Sequence, residues 1–385
     1  MKDKKLFSLY LFYAVNFIAT GMTTFAPKFY GEIGLSDGQI GLISAVMASV
    51  ALVAQPVWGT LADRSRYKRS VLALGLALAG AVCFLVLPAA GRFMPLLAVL
   101  TLYNTFALPA MPVGNAIAIE YTGAHGHSFG PVRMMGTIGY QVTILITGVA
   151  LAGSLRGLYP AIGTASLLAA CCALLLPPVQ GHQHGGEKVS PAAFFRDRRF
   201  QLLFAVAFLA NIPHQFNLSF FSKHLGDLGF GNALTGLITT LSVMLEIPFL
   251  LFGDRIMKRF PVWTWMTIGL LVGSVRFFLL SVVRAPALIV LSAMLSIAHL
   301  ACFEFIPFIY LGRVTRPELL GSAQSIYQMI SFGVARIAGA LLGGLIADAA
   351  GIPTVFALCG GLLLATAIVF FLPMRRQAAA DGDVQ

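Results

Sequence analysis

The sequence is poor in charge. Only 11% of its 385 residues are Asp, Glu, Lys or Arg, where a soluble chain carries roughly 25%. That shortage excludes water as the main solvent, and with it a reading as two or three soluble domains. Cysteine is scarce as well. Cys83, Cys171, Cys172, Cys302 and Cys359 all lie inside apolar runs, without Cys-x-x-Cys spacing, so neither a disulfide framework nor a metal site is expected. The net charge of +11 is dispersed in small knots and lacks the aromatic-interleaved basic face of a nucleic-acid binder. A nucleophile paired with a base is also missing. Gly34-Leu-Ser36-Asp-Gly38 matches the G-x-S-x-G hydrolase string, but falls between two apolar runs and not at a strand-to-helix elbow. His182-Gln-His184, in a glycine-rich stretch, reads as polar filler. No catalytic residue, metal, cofactor or nucleic-acid partner is expected.

What the chain has is apolar length: 58% of its residues are hydrophobic. Apolar runs fall near 6–30, 38–62, 70–90, 93–119, 129–153, 157–177, 200–222, 232–253, 261–283, 286–311, 319–347 and 352–373. Each is long enough to cross a bilayer with some tilt. Backbone groups cannot be left unpaired in hydrocarbon, so helices are expected and not open strands. The first run follows Met1-Lys2-Asp3-Lys4-Lys5 and lacks an Ala-x-Ala-like cleavage site, which reads as an uncleaved helix. The fold class is therefore an all-α polytopic membrane protein with twelve transmembrane helices.

Lysine and arginine placement orients the chain. With the N-terminus in the cytoplasm, eighteen fall on inner segments and five on outer ones, namely Lys28, Arg92, Arg156, Lys223 and Arg284. Arg133, Arg276 and Arg336 lie within spans. This bias predicts both termini inside the plasma membrane. The polar stretch near 178–199 divides the chain into six-helix halves, 1–180 and 200–385, joined by a cytoplasmic linker, 181–199. An internal repeat supports the division. Asp63 in Gly59-Thr-Leu-Ala-Asp63-Arg64 and Asp254 in Gly253-Asp254-Arg255 are 191 residues apart, as are Phe129-Gly130 and Leu320-Gly321. Such repeats typify secondary transporters, whose solute sites lie between them.

Gly59-Thr-Leu-Ala-Asp63-Arg64-Ser-Arg66-Tyr-Lys68-Arg69 resembles the loop signature of the major facilitator superfamily, with a degraded copy after span eight. The resemblance implies alternating access, with gating by Asp63, Arg64, Asp254 and Arg255. A narrower resemblance is carried by Phe129-Gly130-Pro-Val-Arg133-Met-Met-Gly136-Thr-Ile-Gly139. It is similar to the span-five motif of lactose permease, nucleoside:proton symporters and phenylpropionate permeases. Glu246-Ile-Pro, Arg276 and His299 also stand where that group carries polar residues, and Ala323-Gln324-Ser325-Ile-Tyr327 looks most like the phenylpropionate branch. Two departures stand out. Pro112-Val-Gly-Asn115 has asparagine where lactose permease has a sugar-binding glutamate, which is closer to the nucleoside symporters. His299 and Glu304 are five apart where lactose permease has three, and an α-helix would set them about 140° apart.

Six ionisable groups lie in spans: Arg133, Glu246, Arg276, His299, Glu304 and Arg336. Each costs about 2.5–3.5 kcal/mol on insertion scales, so they are expected to face a cavity or one another. A simpler reading is ion pairing between helices, which suits Arg336 best. Glu246, His299 and Glu304 are the proton-coupling candidates. A carboxyl moved between an apolar surround and an arginine can bind and release a proton, and His titrates near neutrality. Arg133 is the expected solute anchor because its fork of donors suits a carboxylate, a diol or a nucleobase edge; the competing reading pairs it with Glu120. Asn115, His214, Asn217 and Arg276 complete the expected solute-binding set. The function expected is a proton-coupled symporter, a monomer in the lipid bilayer, importing a small polar or aromatic solute. That solute is a nucleoside, an aromatic acid or a sugar. A proton-driven exporter of amphipathic compounds is the alternative, and a non-transporting membrane sensor the remote one.

Overall fold

The computed structural model describes residues 4–180, 196–244, 260–315 and 317–382. Glu246, Asp254, Arg255 and most of the expected linker lie outside them. Nine helices among the described residues are long and apolar enough to cross a membrane. They are α1 (Lys4–Glu32), α2 (Asp37–Arg64), α4 (Phe93–Ala124), α6 (Leu155–Leu175), α7 (Arg198–Asp227), α9 (Val262–Val282), α10 (Pro286–Val314), α11 (Ser322–Ala350) and α12 (Ile352–Ala379). Three more helices complete the order: α3 (Lys68–Cys83), α5 (Phe129–Ala150) and α8 (Asn232–Met244). A helix thus stands at each of the twelve apolar runs, and the described residues contain no strand. The chain is an integral membrane protein.

Local chemistry sets the ends. Ser36 caps α2: its hydroxyl accepts from the Gln39 backbone N–H at 3.2 Å, and Gln39 Oε1 accepts from the Ser36 N–H at 3.1 Å. This reciprocal capping box is what the hydrolase-like string encodes. Ser128 caps α5 by accepting from Gly130 N–H. At the other end of α6, Lys5 Nζ donates to Leu175 O and Arg69 to Leu176 O, placing cations at a helix C-terminus, where its dipole favours them. Val53, Val282 and Ile368 are 70%, 71% and 68% exposed. Outward-facing apolar side chains of this size suit lipid and not water.

The described residues group into two compact units. The first comprises the described parts of Met1–Gln39, Val46–Gly186 and Ser222–Leu237; the second comprises those of Ile40–Ala45, Glu187–Phe221 and Ile238–Gln385. Small residues let helix backbones approach within each unit, as membrane helices require. In the first, a Cβ on Gly80 would lie 2.9 Å from Gly163 O and one on Gly163 would lie 2.9 Å from Gly80 O, which locks α3 to α6. A Cβ on Gly139 would reach Ala14 O at 3.0 Å, joining α5 to α1. In the second, Ser274 Oγ donates to Gly360 O at 2.8 Å between α9 and α12. A Cβ on Gly269 would lie 2.6 Å from Cys302 Cβ, and one on Gly339 would lie 2.5 Å from Ile212 O. The two G-x-x-x-G strings, starting at Gly269 and Gly339, therefore serve packing inside one chain.

Candidate functional site

In the first unit the polar candidates converge on one aromatic pair. Tyr13 and Phe17 sit four residues apart on α1, so they share a face, and their rings stack at 6.3 Å. Tyr13 Oη donates to Asn115 Oδ1 at 2.6 Å, and Phe129 meets Tyr13 edge-on at 6.1 Å. The Arg133 guanidinium lies over the Phe17 ring, 4.7 Å from its centroid, a cation–π arrangement. Its Nη1 is buried without a hydrogen-bond partner among the described residues. Glu120 meanwhile accepts from Lys68 Nζ at 3.1 Å. Asn115 is thus tied to Tyr13 and Arg133 covers Phe17, and the aromatic pair itself is buried, Tyr13 at 1% and Phe17 at 7% exposed.

Composition could not single out Tyr13 and Phe17 among 40 Phe and Tyr residues. Their i, i+4 spacing around Asn16 on the first helix was the available signal. Tyr13→Phe removes one hydrogen bond and keeps the ring. It is expected to cost about 1 kcal/mol, seen as a melting temperature lower by roughly 2 °C. An unchanged melting point would mean the Tyr13–Asn115 bond contributes nothing net.

The second unit holds another cluster. His214 on α7 stacks on His299 of α10, with ring centroids 4.1 Å apart and planes 10° from parallel. His214 Nε2 stands 3.7 Å from Glu304 Oε1. Buried Arg276 is close enough for its charge to act on both histidines. His299 and Glu304 are therefore not split between faces as an α-helix would have them. The reason is local: Leu300–Phe305 is a π-helix, whose i→i+5 hydrogen bonding swings residues five apart towards one face. Tyr327 Oη of α11 donates to Phe303 O at 2.5 Å within this segment. A second π segment, Met329–Val334, interrupts α11, and Gln215 Nε2 donates to Ser331 O there at 3.4 Å. Asn217, one turn beyond His214, buries an Oδ1 without a hydrogen-bond partner among the described residues.

His214, His299 and Glu304 offer three ligand atoms within 4.8 Å of one another. Nearly parallel stacked rings cannot both aim an in-plane nitrogen lone pair at one ion, as metal coordination requires. As arranged, the trio stacks two imidazoles and sets a carboxylate oxygen 3.7 Å from one of them. Arg336 is a separate case. Its Nε is buried without a hydrogen-bond partner among the described residues.

At the end of α2, Asp63 lies 3.9 Å from Lys68 Nζ, which also contacts Glu120 at 3.1 Å. Lys68 is 7% exposed and is the hub of this charge cluster. In the sequence Lys68 stands in the loop signature after α2, where only Asp63 and Arg64 were expected to gate. Arg64 is exposed at the helix end.

A model of the family described as "MFS_1 like family" matches residues 5–358. The maltose permease of Geobacillus stearothermophilus is 27% identical over 69% of this chain and 68% of its own. The xanthosine permease of Escherichia coli (strain K12) is 22% identical over 91% of this chain and 90% of its own. The crystal structure of the nucleoside transporter NupG superposes with a TM-score of 0.86, covering 97% of this chain and 99% of that one at 18% identity.

Proposed function

Because the chain belongs to the MFS_1 like family, we propose that this transporter imports a nucleoside-like solute together with protons, by alternating access. The observation that carries the solute class is the buried aromatic pair of Tyr13 and Phe17, with Arg133 over one ring and Asn115 bonded to the other. In the solute-bound state a flat ring takes the guanidinium's place over Phe17, and the guanidinium fork and the carboxamide read its polar edge. The similarity to a xanthosine permease supports the same reading. The similarity to a maltose permease favours a sugar as the second one.

In this proposal His214, Asn217 and Arg276 complete the solute contacts. Glu304 and His299 carry the proton, with Glu246 as a further carrier outside the described residues. The halves 1–180 and 200–385, joined by 181–199, rock about the solute with both termini cytoplasmic. Asp63, Arg64, Asp254 and Arg255 gate the inner side. Solute and proton are coupled because each biases one inward–outward equilibrium.

Thermal stabilisation of the purified protein tests the solute class. A ligand at 100 times its Kd stabilises the folded state by about 2.7 kcal/mol. Nucleosides are expected to raise the melting temperature of the wild type and not of Arg133→Ala. A response to sugars alone would replace the nucleoside reading with the sugar one. A nucleoside response that survives Arg133→Ala would remove the anchor role.

A further inference from the structure

Lys28-Phe-Tyr-Gly31-Glu-Ile-Gly34-Leu35 ends α1, and Lys223-His-Leu-Gly226-Asp-Leu-Gly229-Phe230 ends α7. The lysines and both glycines recur at one spacing, 195 residues apart. The two segments fold alike. Leu35 N–H donates to Tyr30 O at 3.0 Å and Gly34 N–H to Gly31 O at 3.0 Å. Phe230 N–H donates to Leu225 O at 3.0 Å and Gly229 N–H to Gly226 O at 2.9 Å. Gly34 and Gly229 take φ of 86° and 82°, the left-handed conformation with which glycine closes a helix in this pattern.

The lysines then cross. Lys28 Nζ donates to Phe230 O at 2.6 Å and Thr235 Oγ1 at 3.4 Å. Its stem runs along Gly226, where a Cβ would come within 3.0 Å of Lys28 Cε. Lys223 Nζ reaches Asp37 at 2.9 Å. Its stem runs along Gly31, where a Cβ would come within 3.3 Å of Lys223 Cε. Each lysine therefore lies along the glycine of the other copy. The residues equivalent to each other just beyond, Asp37 and Asn232, also reach across. Asp37 takes Lys223, and Asn232 Nδ2 donates to Leu151 O at 2.6 Å.

We propose that Lys28 and Lys223, crossing over Gly226 and Gly31, form a reciprocal clasp that holds the outer ends of the two chain halves together and must part for the transporter to open outward. The proposal rests on the transporter reading but not on the solute. The clasp is built to release. Lys28 is 9% exposed, yet the partners it reaches across the clasp are a carbonyl and a hydroxyl, which water can replace. Lys223 has a second partner one turn along its own helix, Asp227 at 2.8 Å. Parting from Asp37 therefore leaves its charge paired. Neither lysine serves positive-inside anchoring: both belong to the five basic residues on outer segments.

The test is a distance measurement between spin labels on Arg156→Cys and Arg284→Cys, with the five native cysteines replaced by alanine. Both sites are on outer segments, and no solute is needed. Lys28→Met/Lys223→Met is expected to enrich the long-distance population about tenfold, the scale of a lost charge-assisted hydrogen bond. Lys28→Arg/Lys223→Arg should keep the parent distribution. Asp37→Asn, which keeps both lysines, should give a smaller shift in the same direction. A parent-like distribution in the double methionine variant overturns the clasp. If that variant does not fold, Asp37→Asn and Gly226→Val are read the same way, and no shift in either overturns it. The readout is independent of solute binding, so failure of the clasp and failure of the nucleoside assignment are separate results.

Discussion

Glu304→Gln is expected to abolish uphill accumulation of solute while exchange of labelled for unlabelled solute continues. Glutamine keeps the shape of the side chain and its place beside His214, whose Nε2 stands 3.7 Å from the carboxylate. What it loses is the capacity to bind and release a proton. If Glu304 is where the proton rides, the variant retains solute-driven interconversion but has nothing through which a proton gradient can bias it. His299→Gln should act less severely, because its ring stacks on His214 and contributes packing as well as titration. Proteoliposomes with an imposed proton gradient measure accumulation, and the same vesicles at zero gradient measure exchange. Full accumulation by Glu304→Gln would remove this residue from proton coupling. Wild-type transport indifferent to the gradient at several pH values would end the symport proposal.

The second large effect is on stability. Gly339→Ala should cost about 2–3 kcal/mol, the upper end of the overpacking range, although it adds one methyl group. That methyl would lie 2.5 Å from Ile212 O and 3.2 Å from Phe216 N, and helix backbone cannot step aside. Gly343→Ala meets the Phe216 ring, which can tilt, although Phe216 is 1% exposed and stacks on Phe220 at 4.7 Å. It should cost less than Gly339→Ala. Gly361→Ala is the control. Nothing lies within 4 Å of its added carbon, so helix propensity should stabilise it by about 0.5–1 kcal/mol. Thermal unfolding in detergent ranks the three. Gly339→Ala melting with the wild type would show that the α7–α11 approach is not a fixed part of the fold.

The helices were legible because span length is a property of composition along the chain, and α1 to α12 stand where the apolar runs are. The relation between His299 and Glu304 was not. An α-helix and a π-helix share the same local sequence preferences, and the bulge at Leu300–Phe305 depends on tertiary contacts such as the Tyr327 bond to Phe303 O. Arg133 was legible as a group that must avoid lipid. Its resting place over Phe17 was not, because a guanidinium has several acceptable partners and only packing chooses among them. The lysine–glycine repeat is a different case. It stands in the sequence at an offset of 195, whereas the inner landmarks repeat at 191, so one fixed offset could not find both.

Arg133 over Phe17 also bears on how the protein is made. At 22 residues α5 is long enough to span, yet it is not among the helices apolar enough to do so on composition. Arg133, in the second turn of α5, adds to its insertion cost, up to roughly 2.5–3.5 kcal/mol for an arginine at a helix centre. The surface that shelters this arginine is on α1, 116 residues earlier. At 5–20 residues per second, the ribosome delivers α5 about 6–23 s after Phe17. If α1 stays beside the translocon for that interval, α5 can leave for the lipid with Arg133 already over Phe17. Slow codons between the two helices would lengthen the wait, and with it the time in which α1 can drift away and leave Arg133 to enter the membrane alone.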